Sequence, residues 1–165
     1  MNTPAQYRQV SRGNIDLAQT LYSINPFALQ GKKRVDPLDI MLSPPLLLEY
    51  GENKQLITLS GRRQLLNLRE DTELTALVLP HKYQDQQLIL SLLLRHRLLS
   101  SSLSLIEQAI FCQKALGWLA VKEVIPFLPL LGHKAKPHII EQLIALLALD
   151  PAVQLGLHQG IGGHL

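Results

Sequence analysis

The chain has 165 residues, 47% hydrophobic and 18% charged, which is enough to bury a core in one or two small domains and too apolar for a disordered chain. No apolar run reaches the length of a membrane span, because Arg95, Arg97, Glu141 and Gln142 interrupt the longest ones, and the opening Met-Asn-Thr-Pro-Ala-Gln lacks the charged-then-apolar pattern of a secretory signal. The formal net charge is +3, and a single cysteine, Cys112, excludes an internal disulfide framework, so a reducing, cytoplasmic compartment is expected.

Residues 1–36 are mixed and polar, with Asn25-Pro26 and Gln30-Gly-Lys-Lys-Arg34 as breakers, and read as an irregular arm with one short strand. Leu46–Tyr50 and Gln55–Leu59 flank the turn-rich Gly51-Glu-Asn53 and predict a β-hairpin. The second of these strands runs through Ser60-Gly61 into a helix expected over Gly61–Glu70 that opens with Arg62 and Arg63. Such a junction suits phosphate: helix-start N–H groups are unpaired, and two guanidinium groups add charge-assisted donors. Leu74–Leu79 before Pro80 reads as a third, buried strand. Gln84–Leu99 is a leucine-rich helix broken by serines 100–102, after which Ser102 or Ser104 caps the next helix with Glu107 in its first turn.

Four helices are expected from there on, over about 103–116, 121–131, 136–148 and 151–158. Gly132-His-Lys-Ala135 is a tight connection of helix-turn-helix type, and Pro137 sits at a tolerated first-turn position. In that reading the helix after it is the recognition helix, with Lys134, Lys136, His138 and Gln142 placed to meet DNA. The helix before it carries Pro126 and Pro129 and must be kinked or split, since each proline inside a regular helix costs about 3 kcal/mol.

The pieces, taken in order, resemble the ParB family, in which a nucleotide-binding domain with a Gly-x-Arg-Arg motif precedes a helix-turn-helix domain. Pro44-Pro-Leu-Leu-Leu48 looks like the family's early strand, Ser60-Gly-Arg-Arg63 like its arginine motif, and Leu105-Ile-Glu-Gln-Ala109 like the end of its third motif. Leu146-Leu-Ala-Leu-Asp-Pro-Ala-Val153 and Gln159-Gly160 look like the helix and loop that close the DNA-binding domain. The resemblance covers roughly residues 35–165. It implies a small ParB/sulfiredoxin-like α+β domain over residues 1–99 and an all-α helix-turn-helix domain over 100–165. It also implies a bacterial, nucleoid-associated DNA-binding protein in chromosome or plasmid partition or transcriptional control, responsive to a nucleotide, CTP, held by Ser60, Gly61, Arg62 and Arg63, and forming a homodimer.

The chain departs from the family pattern at specific positions. The family's glycine falls at Ser60 and its Glu-Asn-x-x-Arg at His96, Arg97 and Ser100; exchanging a carboxylate and an amide for His and Arg removes hard oxygen ligands and inserts a cation, so no metal is expected. The basic upstream segment has only Lys32-Lys-Arg34 as a substitute. Lys and Arg outnumber Asp and Glu by 9 to 6 over residues 1–70 and match them 7 to 7 over 71–165. A neutral C-terminal half weakens the case for DNA unless its cations cluster, and the alternative is a degenerate ParB-like module that works through protein contacts.

The blander readings stand beside these. Arg62 and Arg63 also fit solvated surface charges, and His96, Arg97 and Arg95 fit cations at a helix C-terminus. His133 and His138 lack a third ligand, and His158 and His164 lie near a glycine-rich tail. Cys112, beside Phe111 on a helix with Ile106, Ala109, Ile110 and Leu116, reads as a core residue, against a sulfiredoxin-like thiol chemistry. No Ser-His-Asp or paired-carboxylate spacing supports hydrolysis or a nuclease, and no catalytic residue is assigned. Gly160-Ile-Gly-Gly-His-Leu165 looks like the loop before a further helix, and both a fragment and a naturally short form fit it.

Overall fold

The computed structural model describes residues 4–25, 37–83 and 85–159. It is a mixed α+β chain; among the described residues five strands, interleaved with two short helices, precede a run of helices. It divides into two compact units, residues 1–23 with 27–89 and residues 24–26 with 90–165. The boundary expected between residues 99 and 100 therefore falls ten residues earlier, inside helix α3 (Gln86–Ser100). Ile89, Leu90, Leu93 and Leu94 on that helix are all buried, so no polar linker marks the change of unit.

In the first unit, strands β1 (Gln6–Ser11), β2 (Ile15–Asp16), β3 (Leu46–Tyr50), β4 (Gln55–Ser60) and β5 (Glu73–Leu79) form one sheet in the order β1-β5-β3-β4-β2. The expected hairpin is present, with β3 antiparallel to β4 and Leu48 opposite Ile57. β5 is the expected third strand; it lies parallel to β3 and antiparallel to β1. The described part of the N-terminal arm holds two strands, where the sequence suggested one. β1 is an edge strand with four successive exposed residues, Gln6 to Gln9, so it shows none of the apolar alternation that marks a half-buried strand. Lys32-Lys-Arg34 lies outside the described residues.

Consecutive strands at opposite edges force the sheet to curl. Four strand spacings amount to about 19 Å across a flat sheet, whereas the four steps from Ser11 to Ile15 reach at most about 14 Å. One face of the curl is filled by Val10, Ile15, Leu47, Leu74, Ala76 and Val78, closed by Ile40 of α1 (Pro37–Leu42) and Leu65 of α2 (Arg62–Leu65). The helix expected over 61–70 is thus a single turn. Leu66 and Leu68, beyond that turn, pack against the same core as Leu65.

The second unit contains α4 (Leu105–Leu116), α5 (Val121–Val124), α6 (Pro137–Ala145) and α7 (Pro151–His158). Ser104 caps α4 as expected: its hydroxyl accepts from the Glu107 N–H at 3.1 Å, and the Glu107 carboxylate accepts from the Ser104 N–H at 3.0 Å. Pro126 and Pro129 act as expected too, and after α5 the chain tightens into a 3-10 segment, Ile125–Leu131. α6 ends at Ala145 and passes into a 3-10 turn, Leu146–Ala148, short of the regular helix expected to 148. Asp150 caps α7 by accepting from the Ala152 N–H at 2.8 Å. No helix among the described residues is long and apolar enough to cross a membrane.

Candidate functional site

The strand-turn-helix junction places Ser60 at the end of β4 and Gly61 in the left-handed region, with φ of 98°. A Cβ on Gly61 would lie 2.9 Å from the Pro45 Cβ, so close packing against Pro45 as well as backbone conformation demands glycine here. The two arginines have separate fates. Arg62 is partly buried, and its Nε–H donates to the Leu17 carbonyl at 2.8 Å, tying the segment after β2 onto α2. Arg63 is exposed. The Gln64 Oε1 beside Gly61 is buried without a hydrogen-bond partner among the described residues; an acceptor in that position asks for a donor and opposes an anion. With a four-residue helix behind it, the junction has little dipole to offer phosphate.

The second candidate is the start of α6. Gly132, at φ of 86°, ends the 3-10 segment, and the His133 N–H returns to the Leu128 carbonyl at 3.0 Å. The His133 ring Nε2 lies 2.6 Å from the Gln108 Oε1, while the Gln108 amide donates to the Leu103 carbonyl at 3.1 Å. Because that amide oxygen can only accept, Nε2 carries the proton, and the connection is pinned to α4. Ile140 and Leu143 are buried on one side of α6. His138, Glu141, Gln142 and Ala145 recur at helical spacing on the exposed side, and Lys134 and Lys136 are exposed just before it. The four residues expected to meet DNA therefore share one region, with Glu141 as an anion on the same face.

A third group was not legible in the sequence. The Glu107 carboxylate, 3% exposed, pairs with the Arg97 guanidinium at 2.8 Å, and Arg97 also donates to the Ser101 hydroxyl at 2.7 Å. The His158 Nδ1 lies 2.7 Å from the Ser104 Oγ and 3.9 Å from the Glu107 Oε1. Both the hydroxyl and the carboxylate face the same ring nitrogen, so this is not the relay of a serine hydrolase, in which the acid and the serine hold opposite nitrogens. It serves as the capped start of α4, with Arg97 neutralising the carboxylate and α7 attached through His158. The Ser-x-x-Glu spacing was the available signal for the cap; the partners lie 10 and 54 residues away.

Cys112 is fully buried, as the sequence suggested, and burial pushes its thiol up to about 11. It should stay unmodified by iodoacetamide in the native protein at neutral pH and react once the chain is unfolded; rapid native labelling would contradict this packing. No group of three or more His, Cys, Asp or Glu among the described residues is arranged to hold a metal. With these geometries in hand, the fold class is α+β, and no family model, curated protein or solved structure matches the chain.

Proposed function

We propose that the chain is a ParB-like DNA-binding protein whose helical unit meets the duplex through the start of α6, acting in partition or transcriptional control. The observation that supports this reading is the clustering of Lys134, Lys136, His138 and Gln142 on the exposed side of one helix start, behind a connection pinned by His133 and Gln108. In this reading the α5 segment and α6 are the two helices of a helix-turn-helix, and the lysines contact phosphates while His138 and Gln142 reach toward base edges. Any nucleotide phosphate at Ser60–Arg63 would have to share Arg62 with the Leu17 carbonyl. A homodimer would double a small contact surface.

Fluorescence anisotropy with a labelled duplex at a series of salt concentrations tests the reading. Affinity should fall steeply as salt rises, and Lys134→Ala with Lys136→Ala should weaken binding to all sequences alike and lower the salt slope by about 1 per lysine. No binding to any duplex at low salt would overturn it. The protein-contact alternative is favoured by one specific feature, the exposed Glu141 among the cations, which repels a phosphate backbone.

The arginine pair yields a second expectation. Arg62→Ala should lower stability by about 1–2 kcal/mol through loss of the bond to the Leu17 carbonyl. A melting temperature equal to that of the unsubstituted chain would show that the Leu17 contact carries nothing.

A further inference from the structure

The second unit carries four acidic residues, Glu107, Glu123, Glu141 and Asp150. Three of them hold the fold together. Glu107 caps α4 and pairs with Arg97, the Glu123 carboxylate accepts the Ala120 N–H at 3.0 Å at the start of α5, and Asp150 caps α7. Glu141 does nothing of the kind. It lies midway along α6, beyond the first turn in which a carboxylate complements the helix dipole. Its helical neighbours three and four residues away are Pro137, His138, Ile144 and Ala145, with no lysine or arginine among them to form an intrahelical ion pair. Among the described residues Glu141 makes neither a hydrogen bond nor an ion pair.

Its position on the helix is nevertheless specific. Ile140 and Leu143 are buried on one side of α6, and Glu141 stands on the other, within the exposed stripe of His138, Glu141, Gln142 and Ala145. Lys134 and Lys136 precede the helix, where a phosphate backbone is met, whereas the stripe itself is what a helix lying in the major groove turns to the base edges. A carboxylate can only accept, so at a base edge it needs a donor. Guanine offers acceptors there, thymine an acceptor and a methyl group, and adenine sets its N7 lone pair beside the N6–H; cytosine alone presents an N4–H with no acceptor of its own next to it.

We propose that Glu141 reads a cytosine, its carboxylate accepting the major-groove N4–H, so that α6 selects duplexes with a C·G pair at one fixed position. This rests on the DNA-binding reading above, and it gives the anion among the cations of α6 a donor to meet in place of a phosphate to repel.

The test retains duplexes with a randomised central segment on the immobilised full chain at low salt and sequences them, for the wild-type chain and for Glu141→Ala, a change that an exposed helical position tolerates. The wild-type pool should converge on C·G at one position, and in anisotropy titrations exchange of that pair for T·A should weaken binding about 5- to 150-fold. N4-methylcytosine at the same position, whose methyl group replaces the major-groove N–H while pairing with guanine is kept, should also weaken binding. Glu141→Ala should bind the C·G, T·A and methylated duplexes alike, and unselected duplexes at least as well as the wild type does, because an anion has been removed. A cytosine preference that survives Glu141→Ala, or its absence from the wild-type pool, would overturn the role of Glu141 and leave the DNA-binding reading in place. Retention of no duplex by either chain at low salt would overturn both.

Discussion

Gly61→Ala is expected to destabilise the first unit by about 2–4 kcal/mol, the sum of a left-handed backbone penalty and an overlap within a packed core. At φ of 98° an alanine is strained whatever the space around it, and here its Cβ would also meet the Pro45 Cβ at 2.9 Å and the Pro45 Cα at 3.1 Å. Pro45 is itself buried, beside β3, and cannot swing aside as a flexible side chain would. Gly132 provides the internal comparison. Its φ of 86° imposes the same kind of strain, yet no atom lies within 4 Å of an added Cβ, so Gly132→Ala should cost only about 1–2 kcal/mol. Thermal unfolding of the two variants measures both, and a Gly132 variant as damaged as the Gly61 variant would show that the Pro45 contact adds nothing.

Arg97→Met is the second change with a large expected effect. It strips the partner from a carboxylate whose side chain is only 3% exposed, while Arg97 itself is 24% exposed. A fully buried broken pair costs about 3–5 kcal/mol, and partial solvent access on the Arg97 side reduces this to about 2–4 kcal/mol. Combining it with Glu107→Gln removes the orphaned charge but keeps an acceptor for the Ser104 N–H, so the double variant should be less destabilised than the sum of the two singles by about 1–2 kcal/mol. Strict additivity in urea unfolding would mean that Arg97 and Glu107 do not act as a pair.

These two positions also show where sequence reading succeeds and where it stops. Local signals carried well: the β3–β4 hairpin from its turn, β5 from an apolar run between breakers, the α4 cap from Ser-x-x-Glu, and the tightening after α5 from its prolines. Signals that depend on packing did not carry. β1 is polar because its exposed edge has little to bury, and α2 stops after one turn with no proline or glycine in Gln64–Glu70 to mark the end. Arg62 and Arg63 look alike in the sequence, and only the fold gives one of them the Leu17 carbonyl. The Arg97–Glu107–Ser104–His158 group joins residues whose separation leaves no periodic trace. For the proposed DNA contacts, the sequence supplied the positions, and the structure supplied their exposure and the anion, Glu141, among them.

The most direct measurement of the DNA-binding proposal is a heteronuclear titration of the isotope-labelled chain with a mixed-sequence duplex at low salt. The amide signals of residues 132–142 should shift progressively, with those of Lys134, Lys136, His138 and Gln142 among the largest, and the shifts should reverse as salt is added. Unmoved signals in that segment, or shifts confined to the residues of the first unit, would contradict the proposal and turn attention to protein partners of the helical unit.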